Sequence, residues 1–213
     1  MNAITHRIPA LAALACGVLV LGGCSSMSKS ECLAVDWRTI GYEDGARGYA
    51  GERIAQHRKA CAKHGVTPDL DLYQAGRREG LHEYCQPANG FRVGARGAGY
   101  GGVCPAEMEV EFIDAYESGF HLHTLQSRVA STHSLLAAKR SELDAAEDEI
   151  VRLSLVIIGT DATPEERAAA LVDTRQLAEA KGRLKTEIAQ LDKDRLRFEQ
   201  ELEDYRATLT WGR

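Results

Sequence analysis

The sequence predicts a mainly α protein: a small, disulfide-stapled, glycine-rich helical head followed by a long antiparallel coiled-coil helical hairpin. Three observations predict it. Cysteine and glycine crowd residues 31–104, and no cysteine occurs beyond them. After Pro105, apolar residues recur at heptad spacing in two long runs rich in Leu, Ala, Glu, Lys and Arg. Between the runs, Gly159-Thr160-Asp161-Ala162-Thr163-Pro164-Glu165-Glu166 carries the chemistry of a helix stop followed by a helix start.

The N-terminus reads as a processed leader. His6 and Arg7 precede an apolar run from about Ile8 to Leu21, shorter than the roughly 20 residues that span a bilayer. Leu21-Gly22-Gly23-Cys24 closes the run with the pattern of a lipobox. It predicts a lipoprotein signal peptide over 1–23 and a lipidated tether over 24–30. Cys24 would carry thioether-linked diacylglycerol and an acyl group such as palmitate on its new amino group. Several acyl chains hold a protein firmly where one is marginal. Ser25 stands where an aspartate would favour inner-membrane retention. The expected location is therefore the outer membrane, lipid-anchored and facing the periplasm. A formal net charge of −5 argues against nucleic acid and against an electrostatic grip on anionic lipid.

Four cysteines remain after Cys16 and Cys24 are set aside: Cys32, Cys61, Cys85 and Cys104. An even count in an oxidising compartment predicts two disulfides. Three pairings are possible and the sequence does not choose among them. Cys32–Cys61 with Cys85–Cys104 closes the shortest loops.

In the head, 31–104, Asp36 is placed to cap a helix. A second helix is expected from about Glu52 to His64, stopped by Gly65. A third follows Pro68 and Asp69 towards Tyr84. Residues 86–104 hold six glycines and read as loop with room for one helical turn. An aromatic-x-x-Gly unit recurs at Tyr42–Gly45, Tyr73–Gly76, Phe91–Gly94 and Tyr116–Gly119. It could serve self-association or membrane insertion, but Arg47, Arg77, Arg78 and Glu79 interrupt any membrane-compatible stripe. Tight packing in a domain poor in large apolar residues is the preferred reading.

Residues 105–213 form the hairpin. Leu122, Val129, Leu136, Leu143, Ile150 and Ile157 lie seven apart, with Leu125, Thr132, Lys139, Ala146 and Leu153 between them. Ala170, Leu177, Leu184, Leu191, Phe198 and Tyr205 repeat the device. Pairing Ile157 with Ala170, Leu143 with Leu184 and Leu122 with Tyr205 gives one constant sum of residue numbers, as an antiparallel register requires. Gly159 is expected to end the first arm in the left-handed conformation. Thr163, Pro164 and Glu166 should cap the second, which at 1.5 Å per residue would be about 70 Å long. Gly119 is a candidate kink. Lys139 and Lys181 on the seam can extend their ammonium groups to water.

No catalytic signature occurs, and no catalytic, cofactor-binding or metal-ligating residue is assigned. His57, Cys61 and His64 share helical spacing suited to zinc, but a disulfide is the simpler fate of Cys61. His121 and His123 diverge on a helix. Asp36, Asp44 and Glu79 could pair for hydrolysis, yet no nucleophile accompanies them. Gly94 to Gly99 lacks the lysine and strand of a phosphate loop. Trp37 and Trp211 read as packing residues.

The head resembles a proteobacterial lipoprotein family known only as domain of unknown function 2799. The residues that carry this are Asp36-Trp37, Gly41, Asp44-Gly45, Cys61, Tyr73, Gly76, Gly80-Leu81, Tyr84-Cys85, Asn89-Gly90, Gly94, Gly97, Tyr100 and Gly102-Val103-Cys104-Pro105. The resemblance covers roughly residues 31–120. It implies a small envelope domain and supplies no activity and no site residue. The expected function is structural or adaptor-like, with protein partners or a second copy docking on the hairpin. The alternative is an envelope enzyme or a binder of small ligands or cell-wall fragments, with its site in the head near Asp36, Trp37 and Asp44.

Overall fold

Four helices begin at a side chain that accepts from their free N–H groups. The computed structural model describes residues 27–210. The leader, Cys24, Ser25, Ser26 and Trp211 lie outside the described residues. Ser28 caps α1 (Lys29–Ala34) in a reciprocal box with Glu31. Asp36 caps α2 (Trp37–Ala46), accepting from the Arg38 N–H at 3.0 Å. α3 (Arg53–Ala62) ends in a turn whose Gly65 has φ +73°. Asp69 caps α4 (Leu70–Tyr84) through the N–H groups of Asp71 and Leu72. Pro87 opens α5 (Pro87–Ala95), and Pro105 precedes α6 (Ala106–Ile158). Thr163 and Glu166 form the expected capping box on α7 (Pro164–Thr208).

Three expectations are corrected. Residues 28–30 are the cap and first turn of α1 rather than free tether, because the Ser28–Glu31 box stabilises a helix there. Residues 87–95 are a nine-residue helix, α5, where a loop was expected. Its glycines are disfavoured in an isolated helix, but here they are buried against α6. Gly159 is extended, at φ −66° and ψ 151°, because the chain leaves α6 directly towards the Thr163 cap.

Glycine is the organising residue of the head. α2 packs on α4, and α5 packs on the first turns of α6. A Cβ on Gly41 would overlap the backbone of Tyr73, one on Gly45 that of Arg77, one on Gly76 that of Arg38, and one on Gly80 that of Tyr42. Partner numbers rise together on the two helices, so α2 and α4 run parallel with their backbones touching. The same holds for α5 and α6, where Gly90 faces Phe112, Gly94 faces Tyr116, and Gly119 faces Phe91. The aromatic-x-x-Gly repeat thus packs helices inside the head, and Gly119 serves close approach.

These two parallel pairs are copies of one unit. Gly41-Tyr42-Glu43-Asp44-Gly45-Ala46-Arg47-Gly48 matches Gly90-Phe91-Arg92-Val93-Gly94-Ala95-Arg96-Gly97. Both segments end in a glycine with positive φ, 71° at Gly48 and 70° at Gly97. Both close with equivalent bonds, Tyr49 N–H to Asp44 C=O and Ala98 N–H to Val93 C=O. A side chain at Gly48 would strike the Tyr84 ring, and one at Gly97 the His123 ring. Each unit has one disulfide, Cys32–Cys61 or Cys85–Cys104. Each disulfide packs with buried aromatic rings, Trp37 and Tyr73 in the first unit and Phe112 in the second. Such a bridge contributes about 2–4 kcal/mol, which matters in a core this small. Leu81 and Tyr84 at the end of α4 pack against Phe112, joining the units.

Beyond the head, α6 continues without a break and α7 packs along it. Cross-helix pairs ascend one helix as they descend the other: Arg128–Glu201 at 2.8 Å, Arg140–Asp192 at 3.0 Å and Lys181–Glu147 at 2.9 Å. These exposed pairs add little energy each. Every heptad position named above is buried or half-buried, from Leu122 to Ile157 on α6 and from Ala170 to Tyr205 on α7. Lys139 reaches out to Glu142 and Glu187. Buried Thr132 donates to the Arg128 carbonyl at 2.9 Å. Among the described residues, no helix is long and apolar enough to cross a membrane.

Candidate functional site

The first unit holds a buried polar cluster that the second does not. Asp44 sits on the inner face of α2 and is 4 % exposed. The Tyr73 hydroxyl of α4 donates to its Oδ2 at 2.8 Å. His57 Nε2 of α3 lies 2.8 Å from the same oxygen. Burial pushes the Asp44 carboxyl up, but the bonds from His57 and Tyr73 outweigh it, and the pKa falls below the ordinary aspartate value. An ionised carboxylate only accepts, so the bonded Nε2 carries the proton and orients the ring. Burial first, and the Asp44 hydrogen bond second, push the Tyr73 phenol far above its ordinary range, so it stays a donor.

In the second unit Val93 occupies the place of Asp44, and Phe112 that of Tyr73. Both are buried. Tyr100 packs on Phe112 at 4.8 Å between centroids, as His57 approaches Tyr73 at 6.3 Å. The scaffold therefore folds with an apolar lining at these places. The charged cluster is therefore particular to the first unit, and perturbed titratable groups of this kind mark candidate sites.

The cluster opens into a cleft of about 640 Å³ between α1, α2 and α3, lined by Met27, Ala34, Val35, Ile40, Arg53 and His57 among others. The size lies within the usual range of small-molecule sites.

Other sequence candidates are separated. Asp36 is a helix cap, bonded to Arg38 and Thr39. Glu79 pairs with Arg38 on the surface. Neither joins Asp44. Cys61 is in a disulfide, so His57, Cys61 and His64 do not form a zinc face. Trp37 is buried in the core beside Cys32, Cys61 and Tyr73. His121 stacks edge-on with Tyr205, whereas His123 packs near Gly97. The Asp44–His57 pair was invisible to sequence reasoning: the partners lie thirteen residues apart across a turn. The longer match between residues 41–48 and 90–97 was the signal that could have found it, because Asp44 against Val93 is its one change of charge at a buried position.

A second feature lies at the far end of α6 and α7. Val151, Leu155 and Ile158 share an exposed face of α6, and Leu171 and Val172 are exposed on α7. Ile150, Leu153 and Ile157 fill the other side of α6, which is apolar nearly all round here. A helix of that composition is normally covered.

Residues 36–121 match the model of a family described as a protein of unknown function (DUF2799). The matched span holds both glycine-packed units and excludes α1 and α7. No curated protein and no solved structure matches the chain.

Proposed function

We propose that this chain is a lipid-anchored adaptor of the outer membrane, facing the periplasm, whose α6–α7 coiled-coil hairpin presents an apolar tip to a protein partner. One observation carries the reading: the tip exposes Leu155 at 62 % and Ile158 at 76 %, far from the head. The span from Gly119 to Ile158 gives a reach of about 58 Å at 1.5 Å per residue. The adjoining turn carries Asp161, Glu165 and Glu166 against Arg167. That excess of negative charge disfavours an anionic lipid surface and fits an apolar pocket with a basic rim. The lipobox at Cys24 supplies the anchor, and the heptad register holds the arm straight.

The test is photocrosslinking from position 155 in intact envelopes. One discrete adduct is expected, lost on Leu171→Asp with Val172→Asp. Cys24→Ala should release the protein from membranes and lose the adduct. Adducts only between copies of this chain would replace the adaptor with a self-assembling stalk. A diffuse spread of adducts unaffected by Val172→Asp would overturn tip docking.

A further inference from the structure

We propose that the head cleft binds an amphiphile consisting of one alkyl chain ending in an anionic oxygen group. The cleft is walled by α1 and α3, and the second unit has neither. There Cys85 leads into α5 through a single residue, and a short loop joins α5 to α6. Two of the elements that build the cleft are thus found in the first unit and not in the second.

Its lining has two characters. Met27, Ala34, Val35 and Ile40 offer an apolar surface that remains partly open to solvent. Facing them, Arg53 has no carboxylate within ion-pair distance among the described residues. Its NH1 donates to Gln56 at 2.6 Å, and its guanidinium lies 4.6 Å over the Tyr49 ring. Its Nε is buried without an acceptor. A buried donor left unmet is costly, and a carboxylate or phosphate is the group that guanidinium satisfies best. Three carboxylates also line the cleft, and each is already engaged: Glu43 with Arg47, Asp44 with His57 and Tyr73, and Glu31 with the α1 cap. An anionic head on the Arg53 guanidinium beside His57, with its chain along Met27, Val35 and Ile40, matches the cationic and apolar parts of the lining.

The experiment uses the full chain and three photoactivatable ten-carbon probes: a carboxylate, a phosphate monoester and a neutral alcohol. Labelled peptides are mapped by mass spectrometry. Label is expected on residues 27–35 and 53–57, competed by the unlabelled compound. Arg53→Gln should weaken the anionic probes about tenfold or more, the value of one charge-assisted hydrogen bond, and leave the alcohol unchanged. Val35→Asp should abolish all three labels. Non-reducing electrophoresis and circular dichroism establish that both variants keep their disulfides and helices. Preference for the carboxylate identifies a free fatty acid, and preference for the phosphate a lysophospholipid. Equal labelling of wild type and Arg53→Gln by the anionic probes overturns the proposal, as does label confined to the hairpin tip.

Discussion

Gly76→Ala should disrupt the first helix pair. Alanine is the better helix former by about 1 kcal/mol, so propensity alone predicts stabilisation of α4. Packing decides the other way. The added methyl group would overlap the Arg38 carbonyl, and a carbonyl inside α2 cannot step aside without moving its helix. Overpacking of this kind costs about 1–3 kcal/mol, and more where backbone is struck. A net loss of about 3 kcal/mol is expected, seen as a lower melting temperature of the head with the α6–α7 helical signal retained. Gly182→Ala is the control. Nothing lies near a Cβ at that position, and it should stabilise α7. If both substitutions stabilise, the close approach of α2 and α4 is wrong.

Asp44→Ala should be comparably severe. It leaves the Tyr73 hydroxyl and the His57 N–H facing a methyl group in a buried site. Each buried donor left without an acceptor costs about 1–3 kcal/mol, and two are left here. The pH dependence follows from the direction of the shift. The folded pKa of Asp44 lies below its ordinary value, so the fold favours the ionised form. That stabilisation is complete above the ordinary carboxylate range and is lost as pH falls through it towards the depressed value. The groups facing Asp44 are His57 and Arg53 from α3 and Tyr73 from α4. Asp44→Asn keeps an acceptor without the charge and should flatten the acid limb of the stability curve. An acid limb identical to wild type would mean that other carboxylates set it.

Local chemistry was legible in the sequence, and long-range chemistry was not. The caps at Asp36, Asp69 and Thr163 follow from side chains that reach their own backbone. The heptad positions of α6 and α7 follow from a period that needs no partner to be seen. The disulfide pairing agreed with loop length. α5 was missed because Gly90 and Gly94 lower helix propensity, and only burial against Phe112 and Tyr116 reveals why they are there. The parallel crossing of α2 and α4 was missed for the same reason: a glycine face has no side-chain signature beyond its spacing. The cleft was missed because one wall is α1, a six-residue helix of which only Lys29 and Ser30 were assigned a conformation, as tether, and its polar group comes from α3.

The central claim is that the head is one scaffold used twice, with a charged site added to the first use. Replacing Asp44→Val, His57→Phe and Tyr73→Phe together gives the first unit an apolar lining like that of Val93 and Phe112 in the second. Exchanging a buried ionic cluster for packed apolar groups is often neutral or stabilising. The measurement is the thermal melt of the triple variant beside Asp44→Ala. The duplicated-scaffold account predicts that the triple variant melts at or near the wild-type temperature, well above the single variant. A triple variant that melts at or below Asp44→Ala would contradict it.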